Sequence, residues 1–151
     1  MKHILSIQDL SCVGRCSLTV ALPVLSAMGH QCSVLPTAVL STHTAFPAPE
    51  VADLTDRLEG FSRHWQANGV AFDMVSVGYL SDPRQAELVA GILERIGALV
   101  ILDPVMGDNG KLYRRKRRDR RAYSRAFRKS CRQGEGQFHL SRLDRYRLYR
   151  L

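Results

Sequence analysis

The chain has 151 residues, of which 45% are hydrophobic and 24% are charged, a balance typical of one globular domain with a real core. No apolar run approaches the roughly 20 residues of a membrane span, and the amino terminus lacks the long apolar core of a secretory signal. The four cysteines show no paired, metal-type spacing. This pattern indicates free thiols in a reducing compartment and predicts a cytoplasmic protein.

Charge divides the chain into two parts. The net charge is +8, yet residues 1–113 hold 7 basic and 11 acidic side chains, whereas residues 114–151 hold 15 basic and 3 acidic ones. We therefore predict an ordered domain over 1–113 and an arginine-rich tail over 114–151.

In the first part, short apolar runs alternate with segments that have apolar residues at helical spacing. Strands are predicted at residues 3–7, 32–35, 72–77 and 98–102, and helices at 18–28, 50–68 and 83–96. Ser17 is a plausible N-cap of the first helix, and glycines at 29, 69 and 97 are predicted to end the three helices. The alternation favours a doubly wound, mostly parallel α/β sheet with helices on both faces, truncated after about four strands.

Two segments outside these elements are candidates for function. Residues 36–49 have no clean period and form either a wandering loop or a flap over a site. The apolar run 98–102 ends in Asp103, and acids, glycines and a lysine follow up to Lys111. Ligands bind at the carboxyl ends of strands in open parallel sheets, so Asp103 is expected at such a site. A plain strand exit with solvated acids is the alternative, and for Lys111 a solvated side chain is the favoured interpretation.

The tail contains no Val, Ile, Met, Pro, Thr or Asn and is too poor in aliphatic residues to offset the entropy of ordering. We predict disorder or a marginal helix there. An abrupt change of composition after Tyr113 also fits a reading-frame shift in the gene, which resequencing across the codons for 111–118 would test. As an alternative function, the tail would bind nucleic acid through its basic groups and aromatic rings. It would act either as an arm that holds nucleic acid or by nonspecific attraction, and binding would depend steeply on salt.

Four motifs follow one another along residues 1–113. They are Ile-Leu-Ser-Ile-Gln-Asp-Leu-Ser (4–11) with Gly-Arg-Cys-Ser (14–17), Pro-Thr-Ala-Val-Leu-Ser-Thr-His-Thr (36–44), Gly-Tyr-Leu (78–80) and Asp-Pro-Val-Met-Gly-Asp (103–108). Together they resemble the N-terminal part of the pyridoxal/pyridoxamine (vitamin B6) kinase branch of the ribokinase superfamily. The resemblance implies a ribokinase-like fold, a homodimer, and transfer of the γ-phosphoryl group of ATP to the 5′-hydroxyl of a B6 vitamer.

The resemblance also implies roles for individual residues. Asp9, His43, Thr44 and Tyr79 would bind the vitamer. Asp103 and Asp108 would bind the phosphates of ATP and a magnesium ion, through water, because Mg²⁺ is a hard cation that prefers carboxylate oxygens. The preferred vitamer and the use of a monovalent cation stay open.

No catalytic residue is predicted in these 151 residues. The family places its base in a Gly-Thr-Gly-Asp type motif, which nothing in residues 114–151 matches. We therefore expect the chain as written to be a truncated, inactive form, with an exposed edge on its last strand.

Overall fold

The computed structural model describes residues 1–81, 83–103, 105, 107–108, 111–112, 126–127 and 138–140. Within them, strands and helices follow one another in this order: β1 (His3–Ser11), α1 (Leu18–Ala27), β2 (Gln31–Leu40), β3 (Val51–Asp53), α2 (Thr55–Ala67), β4 (Met74–Val77), α3 (Pro83–Ile96), β5 (Leu99–Leu102), β6 (Gly107–Asp108), β7 (Lys111–Leu112) and β8 (Phe138–Leu140). The predicted α/β class is confirmed.

Six of the strands form one sheet in the order β3-β2-β1-β4-β5-β8, and β6 pairs with β7 separately. All neighbours in the large sheet are parallel except β3, which runs antiparallel to β2 at one edge. The four predicted parallel strands are therefore present as β2, β1, β4 and β5. Patterns in the sequence did not predict the two flanking strands β3 and β8.

Helices cover both faces of the sheet. Leu5 and Ile7 of β1 belong to the main core, together with buried residues of α2 and α3, while Ile4 is also buried. The helix α1 packs against β1 and β2, and α2 packs against α3 and β2. The crossover from β1 through α1 to β2 and the crossover from β2 through α2 to β4 move along the sheet in opposite directions. Right-handed crossovers then place α1 and α2 on opposite faces, so central strands that are apolar on both sides are buried on both sides.

The helix boundaries largely agree with the predictions. The end glycines at 29, 69 and 97 all have positive φ. At the end of α1, the N–H of His30 donates to the carbonyl of Leu25 at 3.2 Å, and the N–H of Gly29 donates to the carbonyl of Ser26 at 3.0 Å. These two hydrogen bonds form a Schellman cap. The second helix begins later than predicted, because residues 51–53 form β3.

The first two strands are longer than predicted. Polar residues such as Gln8 interrupt the apolar pattern of β1, yet the distal halves of β1 and β2 pair with each other up to Ser11 and Leu40. The backbone ladder therefore continues where the side chains no longer signal a strand. As a result, the segment 36–49 is not wholly a loop: its first five residues belong to β2.

The far edge of the sheet also differs from expectation. The strand β5 was expected to lack an outer neighbour, but Val100–Leu102 pairs in parallel with Phe138–Leu140. Strand pairing needs only backbone hydrogen bonds, which an arginine-rich segment can still supply. In addition, Phe127 is helical and buried in the main core. Most of the predicted tail lies outside the described residues, so its disorder stays a prediction.

One face of α1 is apolar and exposed. Val20, Val24 and Met28 are 40%, 50% and 64% exposed, and no charged side chain occurs between Arg15 and Glu50. Such a contiguous patch is unusual on a solvent-facing helix. None of the helices in the described part of the chain is long and apolar enough to cross a membrane.

The amino-terminal ends of β1 and β4 are joined by Asp73. The backbone N–H of His3 donates to one carboxylate oxygen of Asp73 at 2.7 Å, and Lys2 Nζ donates to the other at 2.9 Å. These hydrogen bonds lower the pKa of Asp73. A carboxyl group whose pKa is lower in the folded than in the unfolded chain stabilises the fold above the unfolded pKa, and this contribution is lost as the pH falls through the folded pKa.

We therefore expect the wild-type chain to lose stability relative to Asp73→Asn as the pH falls below about 4. Urea unfolding at a series of pH values measures the difference. If the two free energies of unfolding stay parallel across that range, the carboxylate makes no net contribution and the prediction is wrong.

Candidate functional site at the carboxyl ends of β1 and β4

The strand order defines a crevice at one edge of the sheet. From β1 the chain first crosses to β2 and later returns to the other side of β1 as β4, so the topology switches between β1 and β4. Ligand sites in open α/β sheets lie at such a switch, outside the carboxyl ends of the strands. The N–H of Gly78 donates to the carbonyl of Ile7, and the N–H of Asp103 donates to that of Val77, both at 2.9 Å. These bonds align the exits of β1, β4 and β5.

Asp9 is buried at this edge, with only 6% of its surface exposed. It stands opposite an irregularity in β2: Gln8 pairs with Pro36 and Leu10 with Val39, so two residues of β2 oppose this one residue of β1. Bulges of this kind bend a strand and redirect side chains, and they are over-represented beside active sites. A buried carboxylate needs a hydrogen-bond partner.

Ser17 supplies that partner. Its hydroxyl donates to Asp9 Oδ1 at 2.6 Å, a distance typical of a hydroxyl bound to a charged oxygen. Ser17 is the N-cap residue of α1, as predicted, but its side chain makes no capping bond. Its φ of 50° is unusual for a residue with a side chain. The start of α1 is thus built to hold Asp9, and the residues themselves did not indicate this role.

His43 lies over the loop that joins β1 to α1. Its backbone N–H donates to the carbonyl of Val13 at 3.0 Å, and its ring occupies the space where a side chain at Gly14 would be. The ring also contacts Phe46, with 4.9 Å between centroids, and its Nδ1 accepts the N–H of Ala45 at 3.2 Å. His43 is therefore held in one orientation against the glycine.

The loop that carries His43 and Thr44 is closed on itself. The N–H of Ser41 donates to the carbonyl of Glu50 at 2.9 Å, and the N–H of Glu50 donates to Ser41 Oγ at 3.0 Å. A compact loop with joined ends is typical of functional surface loops. Thr44 is exposed on it, whereas His43 is half-buried. The segment is therefore a loop with joined ends and not a wandering one, while its role as a flap over a site stays a prediction.

Tyr79 follows β4 and is half-buried. Its carbonyl accepts a hydrogen bond from the hydroxyl of Thr37 at 3.5 Å, so the exit of β4 is tied to β2.

Asp53 lies near the same exit. Burial would raise the pKa of its carboxyl group, but hydrogen bonds from Thr55 and Ser81 outweigh that effect, and the pKa is lowered. Asp53 therefore stays ionised near the β4 exit.

The buried side chain of Gln85 links three segments near the site by hydrogen bonds. It is fully buried; its Oε1 accepts the N–H of Ser81 at 2.7 Å, and its Nε2 donates to the carbonyl of Thr37 at 3.0 Å and to the hydroxyl of Thr55 at 2.9 Å. One side chain thus links the β4 exit, β2 and the start of α2. It sits on the inner face of α3, four residues before buried Val89, and a glutamine in that apolar stripe was the available signal.

The predicted magnesium side of the site is described only in part. Asp103 is half-buried just beyond β5. The backbone of Asp108 lies in β6, but its side chain is outside the described residues. No group of three or more His, Cys, Asp or Glu side chains converges in the part of the chain that the structure describes. A magnesium ion that keeps several waters needs only one or two carboxylates, and of the two predicted ones the structure describes the side chain of Asp103.

Known proteins are similar to this chain in sequence and in structure. No protein-family model matches the chain. A pyridoxine/pyridoxal/pyridoxamine kinase of Bordetella avium is 33% identical over 114 residues, which are 70% of this chain and 38% of that protein. A Bacteroides thetaiotaomicron protein described as a phosphomethylpyrimidine kinase, crystallised with pyridoxal, is 39% identical, with a TM-score of 0.76 over 89% of this chain and 47% of its own.

Over the matched residues, the chain belongs to the pyridoxal kinase family of the ribokinase superfamily. A pyridoxal kinase of Leishmania donovani, solved with ADP and pyridoxamine, is 26% identical, with a TM-score of 0.77 over 83% of this chain and 47% of that structure. The chain spans less than half the length of each of these kinases. The family resemblance read from the four sequence stretches is thereby confirmed over part of the length of these kinases.

Proposed function

We propose that residues 1–113 form the vitamer-binding part of a kinase that transfers the γ-phosphoryl group of ATP to the 5′-hydroxyl of a B6 vitamer. The observation that carries this proposal is the buried Asp9 carboxylate at the switch point, held by Ser17 at 2.6 Å. Two similar structures support the proposal. The Bacteroides thetaiotaomicron protein was crystallised with pyridoxal, and the Leishmania donovani kinase was solved with ADP and pyridoxamine.

Each side chain of the site has a definite task in this proposal. Asp9 faces the pyridine ring. When the ring nitrogen is protonated, it donates a hydrogen bond to the carboxylate. His43 and Thr44 close over the substrate from the loop above Gly14, and Tyr79 lies beside the ring. Because the hydrogen bonds of the loop and of Gln85 hold these groups in place before the ligand arrives, little ordering remains to be done on binding.

On the nucleotide side, we propose that Asp103 and Asp108 hold Mg²⁺ and face the phosphates of ATP. When bound, the metal would neutralise charge on the transferring phosphoryl group. Asp103 leaves β5 next to the β4 exit, so it lies on the correct edge of the sheet for this role. Both carboxylates would act mainly through metal-bound water.

Phosphoryl transfer needs more than these residues. Backbone amides at a helix N-terminus stabilise the transferring phosphate and an acid removes the proton of the hydroxyl, and the family motif that carries both is not in the sequence. We therefore propose that residues 1–151 bind a vitamer but do not turn over.

The test is a titration of the chain with pyridoxine, followed by the fluorescence of the vitamer. We expect Asp9→Asn to weaken binding about tenfold or more, since the substitution keeps the shape and the acceptor for Ser17 but removes the charge that a hydrogen bond to a protonated ring needs. The same samples are assayed for ATP-dependent phosphorylation, where we expect no product.

The matched control is Glu87→Gln, the same loss of charge on an exposed position of α3, which should leave binding unchanged. Equal affinity of Asp9→Asn and wild type would overturn the vitamer assignment. Robust turnover by the 151-residue chain would instead overturn only its proposed inactivity.

Other expectations stay predictions. They are the homodimer, the monovalent cation, the cytoplasmic location and the origin of the tail in a frame shift. The nucleic-acid alternative depends on tail residues, most of which lie outside the described residues, and it also stays a prediction.

A further inference from the structure

Ser17 has a backbone conformation that suits glycine. Its φ and ψ are 50° and −127°, far from the left-handed helical region in which most non-glycine residues of positive φ are found. These angles are close to those of the first central residue of a type II′ turn, where glycine is typical. The N–H of Thr19 closes this turn on the carbonyl of Cys16 at 3.2 Å. A serine here strains the backbone, and such strain calls for a functional explanation.

The hydroxyl of Ser17 is not what holds the beginning of α1. It makes no capping bond, and a neighbouring side chain ties the turn instead. Thr19 Oγ1 accepts the N–H of Cys16 at 3.1 Å and donates to the carbonyl of Cys16 at 2.7 Å. The carbonyl of Ser17 accepts the N–H of Ala21 at 3.0 Å, and a glycine would supply the same carbonyl. The start of the helix therefore depends on Thr19 and on the backbone of residue 17.

Asp9 is the group that uses this hydroxyl. Ser17 Oγ donates to Asp9 Oδ1 at 2.6 Å, and within the described part of the chain this is the one hydrogen bond that the Asp9 side chain makes. Hydrogen bonds to a charged oxygen are roughly twice as strong as those between neutral groups. The bond from Ser17 therefore fixes the rotation of the carboxylate.

The second oxygen of Asp9 is open to a ligand. The residue is 6% exposed, and Oδ2 has no hydrogen-bond partner among the described residues. Among those residues, the partnerless side-chain atoms that are closed to solvent belong to Ser11, His30 and Ser62, and Asp9 Oδ2 is not one of them. The small exposed surface of Asp9 thus includes this oxygen, and a donor from outside can reach it.

We propose that Ser17 is a positioning residue for the vitamer, a role that rests on the proposed function of Asp9. The hydroxyl of Ser17 holds Asp9 so that Oδ2 accepts the N–H of the protonated pyridine ring. Ser17 acts through Asp9 and not through the ring. The strained backbone places the hydroxyl within reach of the carboxylate, so the chain is less stable than it would be without the strain, and it binds the vitamer more tightly.

A double-mutant cycle with pyridoxine as the ligand tests whether Ser17 acts through Asp9. Ser17→Gly should weaken binding about fivefold, which is less than the tenfold loss expected of Asp9→Asn because the charge remains. In the Asp9→Asn background, Ser17→Gly should change the affinity by less than about twofold, because the group through which it acts is gone. A merely structural role of Ser17 would weaken binding equally in both backgrounds.

Urea unfolding separates the hydroxyl from the backbone strain. Ser17→Ala removes the hydroxyl and keeps the strain, whereas Ser17→Gly removes both. Both variants should bind pyridoxine about fivefold more weakly than wild type, but Ser17→Gly should unfold at a higher urea concentration than Ser17→Ala. The matched control is Ser26→Gly at an exposed position of α1. It should keep wild-type affinity and unfold at a lower urea concentration than wild type, because glycine destabilises a helix.

The outcomes distinguish this proposal from the function on which it rests. If wild type does not bind pyridoxine at millimolar concentration, or if Asp9→Asn binds as wild type does, both are overturned. If Asp9→Asn binds more weakly but Ser17→Gly keeps wild-type affinity, the role of Ser17 alone is overturned. An equal effect of Ser17→Gly in the two backgrounds overturns it as well. If Ser17→Gly unfolds no later than Ser17→Ala, the proposed strain at residue 17 is wrong.

Discussion

Replacing Gln85 with leucine is expected to lower the free energy of unfolding by about 3 kcal/mol. The substitution places an apolar residue of similar size in the core and removes the hydrogen bonds of the buried amide to Ser81, Thr37 and Thr55. The N–H of Ser81 then has no acceptor, and each unsatisfied buried group costs about 1–3 kcal/mol. Against a total stability of roughly 5–15 kcal/mol, the loss is large. Urea unfolding followed by circular dichroism measures it.

Gln66→Leu is the matched control, because it makes the same chemical change at an exposed position of α2. Its effect should stay within about 0.5 kcal/mol. If Gln85→Leu unfolds at the same urea concentration as wild type, the buried amide is not what holds the β4 exit.

Gly14→Ala is expected to weaken pyridoxine binding at least tenfold, since geometric displacement of a binding group by about an ångström has effects of this size or larger. Gly14 has a φ of +119°, which a residue with a side chain rarely adopts, and a Cβ there would collide with the His43 ring. The ring must move, and with it the loop that carries Thr44. The vitamer titration measures the loss of affinity, and urea unfolding measures the loss of stability.

Gly29→Ala separates the collision from the backbone strain. Gly29 also has a positive φ, of +80°, but a Cβ there would meet nothing within 4 Å. Both variants should lose stability through strain, by about 1–3 kcal/mol, but only Gly14→Ala should lose affinity. If both bind pyridoxine as wild type does, the contact between His43 and Gly14 does not position the loop for binding.

Helices were the part of the fold that could be predicted best. The third helix was predicted with both ends correct and the first within one residue, because apolar spacing and a terminal glycine are local properties of the chain. Strand lengths depend on partners far along the sequence. The extensions of β1 and β2 come from pairing between Ser11 and Leu40, which no local pattern encodes.

The site shows the same division. The family resemblance placed Asp9, His43 and Tyr79 at one edge of the sheet, and the structure brings their backbone segments together there. It did not indicate that the hydroxyl of the N-cap residue Ser17 would bond to Asp9 and not to the end of α1. A hydroxyl can satisfy either a helix end or a neighbouring carboxylate, and only the three-dimensional path of the loop decides between them.

The exposed apolar face of α1 has a consequence for how the protein behaves in solution. Net charge of +8 keeps copies apart at low ionic strength, because like charges repel over about a Debye length. Added salt shortens that length to roughly 3 Å at 1 M, while the attraction between uncharged faces remains. High-salt buffers, a common choice for basic proteins, would therefore favour self-association of this chain, and dilute buffers would favour dispersed molecules.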